Sequence, residues 1–348
     1  RKIEAQAMDD VPSTTDPKFA SFPLVCTANG RTDGTGEFSA CHHDLRQRDA
    51  ETLWCPVPFG CGAEYRIVDG IPRLLAYDNP VGAASYDNEL LAQAYVEMNF
   101  ASYRTEAAPL DDDPVDPTSI DDLSQRLLNA TDLTGPYYRH LTQMVMNLEP
   151  DPGGLIADIA CGMGRMAPEL HEAGWRGRYF GADLSPRLVR QASDVFLDGA
   201  SAVRFPGDPQ IGPTSTLTTI DAPTVPRSTT LLAVADAGRL ALANDSCAVV
   251  LALNLVDRVP DPAAVVKELW RCVAPGGHLV LSDPFHWEGT TPVDREIYSF
   301  DRVNSWLADA TPTGDPVEVV YAVRRRESRR IVIYRDLVAS FTRVPRPS

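Results

Sequence analysis

The sequence predicts an α/β fold: a mainly parallel sheet flanked by helices over residues 151–348, behind a small cysteine-rich domain at residues 21–78. Three observations predict it. Leu155–Ile159 is a short apolar run holding one acid, and it runs into a turn carrying Gly162 and Gly164. Residues 179–183 form a second apolar run, which ends on Asp183. Four of the seven cysteines, Cys26, Cys41, Cys55 and Cys61, lie in the first part of the chain, whereas Cys161, Cys247 and Cys272 sit singly in segments suited to a small buried residue.

The first run reads as a buried strand, a glycine turn and then a helix. An acid inside such a strand costs free energy unless its carboxylate meets donors, which marks Asp158 as functional. Gly162 and Gly164 let the backbone turn sharply and approach a ligand, and the helix that follows aims free N–H groups at the same place. The second run is expected to lie beside the first as a parallel neighbour, where Asp183 can accept both hydroxyls of a ribose. A nucleoside-type ligand is implied. Gly162-x-Gly164-x-x-Ala167 also satisfies the relaxed dinucleotide fingerprint, so NAD remains a candidate on this motif alone.

At 348 residues, 44% of them hydrophobic, the chain has room for two domains and a substantial core. A formal net charge of −16 disfavours nucleic acid as a partner, because tracking phosphates requires concentrated Lys and Arg. Small molecules or peptides are the expected partners. No apolar run reaches the length of a membrane span, and the first eight residues lack the apolar core of a signal peptide. Both observations predict a cytoplasmic location and no membrane partner.

Residues 1–20, rich in Pro, Asp, Ser and Thr towards their end, read as a flexible tail. The domain at 21–78 is too small for a good core and needs a staple. A tetrahedral zinc on Cys26, Cys41, Cys55 and Cys61 would supply one, with His42 or His43 as substitutes for Cys41. The spacing, C-x14-C-x13-C-x5-C, is looser than a pair of C-x2-C knuckles. Residues 79–150 read as a helical cap, with helices over 88–103, 120–129 and 135–148. The last is striped by Tyr138, Leu141, Val145 and Leu148. Asp111-Asp112-Asp113 reads as a solvated acidic loop.

After a helix ending near Leu197, residues 205–230 are crowded with Pro, Thr, Ser and Gly and read as a loop insertion without a catalytic role. A third strand at 231–237 carries Asp236. Cys247–Leu253 forms the fourth and closes on Asn254, and a helix over 263–272 is capped by Asp261 with Pro262 at its first position. Ala274-Pro275-Gly276-Gly277 then turns into a fifth strand at 278–282. The β-branched runs 317–323 and 331–341 are expected to pair as an antiparallel hairpin on the sheet edge, and the arginine-rich segment between them reads as a solvated turn.

Leu53-Trp54-Cys55, followed by Cys61-Gly62-Ala63-Glu64-Tyr65-Arg66-Ile67-Val68-Asp69-Gly70-Ile71-Pro72, resembles the C-terminal half of a Trm112-like zinc-ribbon domain. In that family a cysteine pair precedes Tyr-x-Ile-x-Asp-Gly-Ile-Pro. The cysteine pair here is more widely spaced. The resemblance implies a closed, structural zinc site.

Asp158 inside Asp-Ile-Ala-Cys-Gly-Met-Gly, Asp183, Asp236, Pro275-Gly276-Gly277 and the terminal hairpin occur in order. Together they resemble class I S-adenosylmethionine-dependent methyltransferases over about 153–341. The implied fold is a Rossmann-like seven-stranded sheet with an antiparallel C-terminal hairpin. Carried across by position, Gly162 and Gly164 would make room for the methionine moiety of S-adenosylmethionine, with Asp158 near its amino group. Asp183 would bind the ribose, Asp236 and the Ala237 backbone would face the adenine, and Asn254 would lie beneath the sulfonium. Ala160 and Leu184 complete the implied cofactor set.

Nearby carboxylates favour a cationic sulfonium, whereas the pyrophosphate of NAD would be repelled by Asp158. Methyl transfer to an amine or hydroxyl needs a proton acceptor, and Asp257, His286 and Tyr138 are the leading candidates. Trp287 and Tyr137 accompany them. His140 and His278 read as packing residues. Asp283-Pro284-Phe285-His286-Trp287 with Thr290-Thr291-Pro292 is faintly similar to a segment of some histidine N-methyltransferases. The whole also resembles a bacterial 23S rRNA guanine methyltransferase architecture, against which the acidic charge argues. The expected function is methyl transfer to a peptide or small molecule, N- rather than O-methylation by a small margin, in a biosynthetic setting. A catalytically silent or cyclase-like protein on the same fold, an rRNA methyltransferase and an NAD-dependent oxidoreductase are the alternatives.

Overall fold

The structure, a computed structural model, describes residues 17–28, 41–56, 61–75, 89–105, 130, 132–207, 210, 212, 215–286, 300–325 and 330–345. The tail before residue 17, the acidic run 111–113, the helix expected over 120–129, Trp287, Thr290 to Pro292 and the centre of the arginine-rich turn all lie outside these residues. In chain order come β1 (Arg46–Asp49), β2 (Thr52–Trp54), β3 (Glu64–Val68), β4 (Ile71–Leu74), α1 (Glu89–Phe100), α2 (Gly135–Asn147), β5 (Leu155–Ile159), α3 (Met166–Glu172), β6 (Arg178–Asp183) and α4 (Pro186–Ala192). There follow β7 (Ala202–Pro206), β8 (Ser215–Thr219), β9 (Thr230–Ala235), β10 (Cys247–Leu253), α5 (Pro262–Cys272), β11 (Val273–Asp283), α6 (Phe300–Asn304), β12 (Ala310–Pro312), β13 (Val317–Arg325) and β14 (Arg330–Arg343).

Five parallel strands form the centre in the order β9-β6-β5-β10-β11, with β14 antiparallel beside β11 and β13 antiparallel beside β14. This is the seven-stranded, hairpin-closed sheet the sequence predicts. Leu155–Ile159 and Cys247–Leu253 fold over the expected residues because each is a run of apolar side chains flanked by polar or turn residues. Alternation splits the core in two. Leu155, Ala157 and Ile159 pack on one face with Val266, Leu269 and Trp270 of α5, and Ile156 packs on the other with Leu141 and Val145 of α2. Asp261 caps α5 by accepting from the Ala264 N–H at 3.0 Å, and Ser185 caps α4 by accepting from Leu188 N–H at 3.3 Å.

Four features depart from the sequence reading. Residues 205–230 are not a plain loop: β7 and β8 pair antiparallel from Ala202↔Thr219 to Pro206↔Ser215. The Thr- and Ser-rich strand β8 is largely exposed, so it lacks the apolar alternation that would mark it. The fifth strand begins earlier, at Val273, and the glycine pair lies within it where the register shifts between Cys247↔Val273 and Val249↔His278. The cysteine-rich segment is not set apart from the sheet. β4 pairs in parallel with β9, matching Arg73 to Val234 and Leu74 to Ala235, so β1 to β4 extend the central sheet into a continuous one of 12 strands. Finally, Arg324 is half-buried rather than solvated, and donates to the Ala130 carbonyl at 2.8 Å.

Candidate functional site

At the carboxyl end of β5 the chain enters the left-handed region three times, at Ala160 (φ 61°), Gly162 (φ 56°) and Gly164 (φ 68°). Glycine takes this conformation freely, whereas Ala160 holds it at a cost that its surroundings must supply. The turn is latched from the next strand. Asp183 accepts from Gly162 N–H with one carboxylate oxygen and from Ser185 N–H with the other, both at 2.9 Å. Asp183 thus ties the glycine turn to the start of α4. A Cβ on Gly162 would stand 3.0 Å from the Tyr95 ring of α1, which lies over the turn. Gly162→Ala should therefore cost about 1–2 kcal/mol of stability through its positive φ. It should also weaken nucleoside binding at least tenfold, as read by thermal melting and calorimetric titration.

Asp158 lies below this turn, buried on the same sheet face as Asp183. Tyr179 donates to it at 2.6 Å. Burial pushes its carboxyl from 3.8 to about 7, the Tyr179 hydroxyl opposes the rise and the Asp183 carboxylate adds to it. A carboxylate held this high gains strongly from any cation brought against it. Asp236 and Ala237, both half-buried, follow β9 directly. The Asp236 carboxylate accepts from Gly238 N–H at 2.8 Å, and its carbonyl accepts from Arg239 N–H at 3.0 Å. Leu184 is half-buried after β6. Asn254 follows β10 at φ 56° and donates to Tyr321 Oη at 3.0 Å, leaving its Oδ1 buried with no hydrogen-bond partner. These residues end four neighbouring parallel strands, the rim where ligands bind in open sheets of this kind.

Of the three candidate proton acceptors, Asp257 meets the His286 backbone, whereas Tyr138 shares no hydrogen bond with either among the described residues. Asp257 is buried. One oxygen accepts from the His286 backbone N–H at 2.9 Å, and the other stands 3.2 Å from Arg258 Nε. That carboxylate holds the segment after β11, whereas the His286 side chain is exposed. Tyr138 belongs to α2. Its hydroxyl donates to Asn99 at 3.4 Å, the Arg165 guanidinium lies 5.4 Å from its ring centre, and among the described residues it hydrogen-bonds neither Asp257 nor His286. His140 is exposed on α2 rather than packed, and His278 is half-buried with Nδ1 3.0 Å from Thr342 Oγ1.

Sequence reasoning missed Asp336. This β14 residue is fully buried and accepts from Ser282 Oγ at 2.8 Å and from the Tyr137 hydroxyl at 3.0 Å. Burial raises its carboxyl from 3.8 to about 6. The signal available was an acid within a β-branched run, the same one that marked Asp158.

Away from this rim, the sulfurs of Cys26, Cys41, Cys55 and Cys61 all lie within 4.8 Å of one another. Cys26 and Cys61 approach to 3.4 Å, and Cys41 and Cys55 to 3.7 Å. A tetrahedral zinc with Zn–S bonds of ~2.3 Å places its sulfurs ~3.8 Å apart, so the donor set and its size fit such an ion. The structure gathers Cys41 into this cluster, while its neighbours serve the backbone: His42 N–H donates to the Cys26 carbonyl at 3.0 Å, and Cys26 N–H to the His43 carbonyl at 2.8 Å.

Residues 157–281 match a family model described as a methyltransferase domain. None of the curated proteins matches the chain. Solved structures similar to it include a geranyl diphosphate methyltransferase in complex with GPP and sinefungin, 13% identical, over 75% of this chain and 97% of that one with a TM-score of 0.46. The [4+2]-cyclase SpnF is 11% identical over 76% and 95%, also with a TM-score of 0.46. Magnesium protoporphyrin IX methyltransferase from Synechocystis with bound SAM is 14% identical over 76% and 95%, with a TM-score of 0.41.

Proposed function

We propose that this chain, whose residues 157–281 form a methyltransferase domain, transfers a methyl group from S-adenosylmethionine to a peptide or small-molecule acceptor in a biosynthetic reaction, with nitrogen favoured over oxygen as the methylated atom. The observation that carries the reading is Asp158, a buried carboxyl raised to about 7 beneath a glycine turn, on the face shared with Asp183. Such a site favours a cationic ligand and disfavours a pyrophosphate. When bound, S-adenosylmethionine supplies an electron-poor methyl group on a positively charged sulfur.

The chain's own residues hold and orient. Gly162 and Gly164 open room for the methionine part, Asp158 takes its amino group, and Ala160 and Leu184 line the same rim. Asp183 binds the ribose while it fixes the turn. Asp236 and the Ala237 backbone face the adenine, and Asn254 lies beneath the sulfonium. Since methyl transfer is an in-line displacement, this alignment is the principal service the protein performs. Of the proton acceptors, His286 is the exposed side chain and Asp257 shapes the segment that presents it, while Tyr138 is the candidate from α2.

The four cysteines hold a structural zinc that closes the N-terminal module. The formal charge of −16 supports a small molecule or peptide over RNA. Among the described residues no helix is long and apolar enough to cross a membrane. Calorimetric titration should show binding of S-adenosylmethionine and of S-adenosylhomocysteine but not of NAD. Methyl release on candidate acceptors then separates the enzyme from a silent or cyclase-like protein. NAD binding in place of the sulfonium compound would overturn the reading.

A further inference from the structure

Five residues close a circuit at the carboxyl ends of β10 and β11. The Asn254 backbone N–H donates to the Ser282 backbone carbonyl at 2.7 Å, and Ser282 Oγ donates to Asp336 Oδ2 at 2.8 Å. Tyr137 donates to that same Asp336 oxygen at 3.0 Å. Its ring lies 4.3 Å, centre to centre, from Tyr321, and the Tyr321 hydroxyl accepts from Asn254 Nδ2 at 3.0 Å. Tyr334 stacks on Tyr321 at 5.2 Å and 15°.

Two atoms of this circuit are buried without a hydrogen-bond partner: Asp336 Oδ1 and Asn254 Oδ1. Leaving such an atom unpaired costs ~1–3 kcal/mol, and more for a charged group, so two together in one circuit ask for a complement. Both are acceptors. Among the described residues Asp336 has no ion pair with Lys, Arg or His, and its hydrogen-bond partners are the Tyr137 and Ser282 hydroxyls. The Tyr137, Tyr321 and Tyr334 rings pack against one another beside it. A carboxylate or phosphate would meet Asp336 with like charge. A ligand with N–H groups and positive charge answers both orphan acceptors.

We propose that the circuit of Asn254, Ser282, Asp336, Tyr137 and Tyr321 is the acceptor subsite, and that the methyl acceptor is a nitrogen base bearing N–H groups, an amine or imidazole, held through Asp336 Oδ1. The proposal rests on the methyltransferase reading and narrows its acceptor to one chemical class. Both orphan atoms are sealed from solvent, so a ligand reaches them by displacing a neighbour, and the half-buried Tyr334 ring is the side chain placed to move. Asp336 binds and orients the base. The attacking nitrogen first sheds a proton to solvent to expose its lone pair. It then forms the N–C bond as the S–C bond breaks and the sulfur departs as a neutral thioether. The methylated nitrogen keeps the positive charge so gained or loses a further proton to solvent.

Fragment binding tests this with the full chain, with and without S-adenosylhomocysteine. The probes are imidazole and butylammonium, against butanol and butyrate, followed by ligand-detected NMR. The nitrogen bases should bind and the other two should not. Asp336→Asn should weaken the bases at least tenfold while the affinity for S-adenosylhomocysteine stays within twofold. Tyr321→Phe, which keeps the ring but frees Asn254, should weaken them severalfold. The subsite assignment is overturned if butanol or butyrate binds equally well, if Asp336→Asn leaves the bases unaffected, or if no base binds while S-adenosylhomocysteine does. Failure of S-adenosylhomocysteine itself to bind sinks the methyltransferase reading instead, because the fragments are also measured without it.

Discussion

Asp158→Asn is expected to raise the melting temperature at neutral pH and, in the same protein, to abolish binding of S-adenosylmethionine. The buried carboxyl titrates near 7 in the folded protein against 3.8 for the free group. The folded value is the higher one, so the stability this group permits is complete below about pH 4 and is lost as the pH climbs through about 7. Between those limits the unfolded chain has released its proton while the folded chain still holds it. At ~1.4 kcal/mol for each pH unit separating the two values, burying Asp158 costs up to about 4 kcal/mol above pH 7. Asparagine keeps an acceptor for the Tyr179 hydroxyl and removes the charge. The melting gain of the variant should therefore vanish near pH 4, grow with pH and level off above about pH 7. Scanning calorimetry across that range reads it directly. A variant less stable than the parent at pH 8, or one that still binds the sulfonium compound, contradicts the role given to Asp158.

Removal of zinc is expected to have the second large effect, and to reach the nucleoside rim. Structural zinc sites supply folding free energy outright, so stripping the ion with a chelator, or Cys55→Ser, should lower stability by several kcal/mol, on the order of 10 °C in melting temperature. The route to the rim is short. Leu74, fully buried at the end of β4, pairs with Ala235, and the next residue is Asp236. When β4 comes away, β9 becomes an unprotected edge and Asp236 and Ala237 lose their footing. The affinity for S-adenosylmethionine should fall severalfold and return when zinc is added back. Elemental analysis should give one zinc per chain. A metal-free protein indifferent to chelator would refute both halves.

The central strands were legible because each carries its own boundaries. Leu155–Ile159 and Cys247–Leu253 are apolar runs ended by a glycine turn and by Asn254, and Asp261-Pro262 announces a helix on its own. The joining of β4 to β9 was not legible. Residues 71 and 233 are far apart in the chain, and parallel pairing leaves no local mark on either strand. Asp336 was hidden for a different reason. In β14 the alternation reads the wrong way round: apolar Ile333 points outward at 50% exposure while Asp336 points inward at 0%. A hydropathy pattern assigns those faces in reverse, and it does so at a buried charge. The same mismatch explains why Tyr138 drew notice before its neighbour Tyr137. Both lie on α2, but the hydroxyl that meets the buried acid belongs to the residue outside the sequence-read stripe.

The account stands on a carboxylate poised to change its proton when a cation arrives, and calorimetric titration with S-adenosylmethionine in two buffers of different ionisation enthalpy tests that most directly. Near pH 7 the predicted result is one-to-one binding with release of part of a proton, an affinity that falls as the pH is lowered, and loss of the binding in Asp158→Asn. Binding with no proton release at any pH from 6 to 8, or no binding by the unaltered protein, would contradict it.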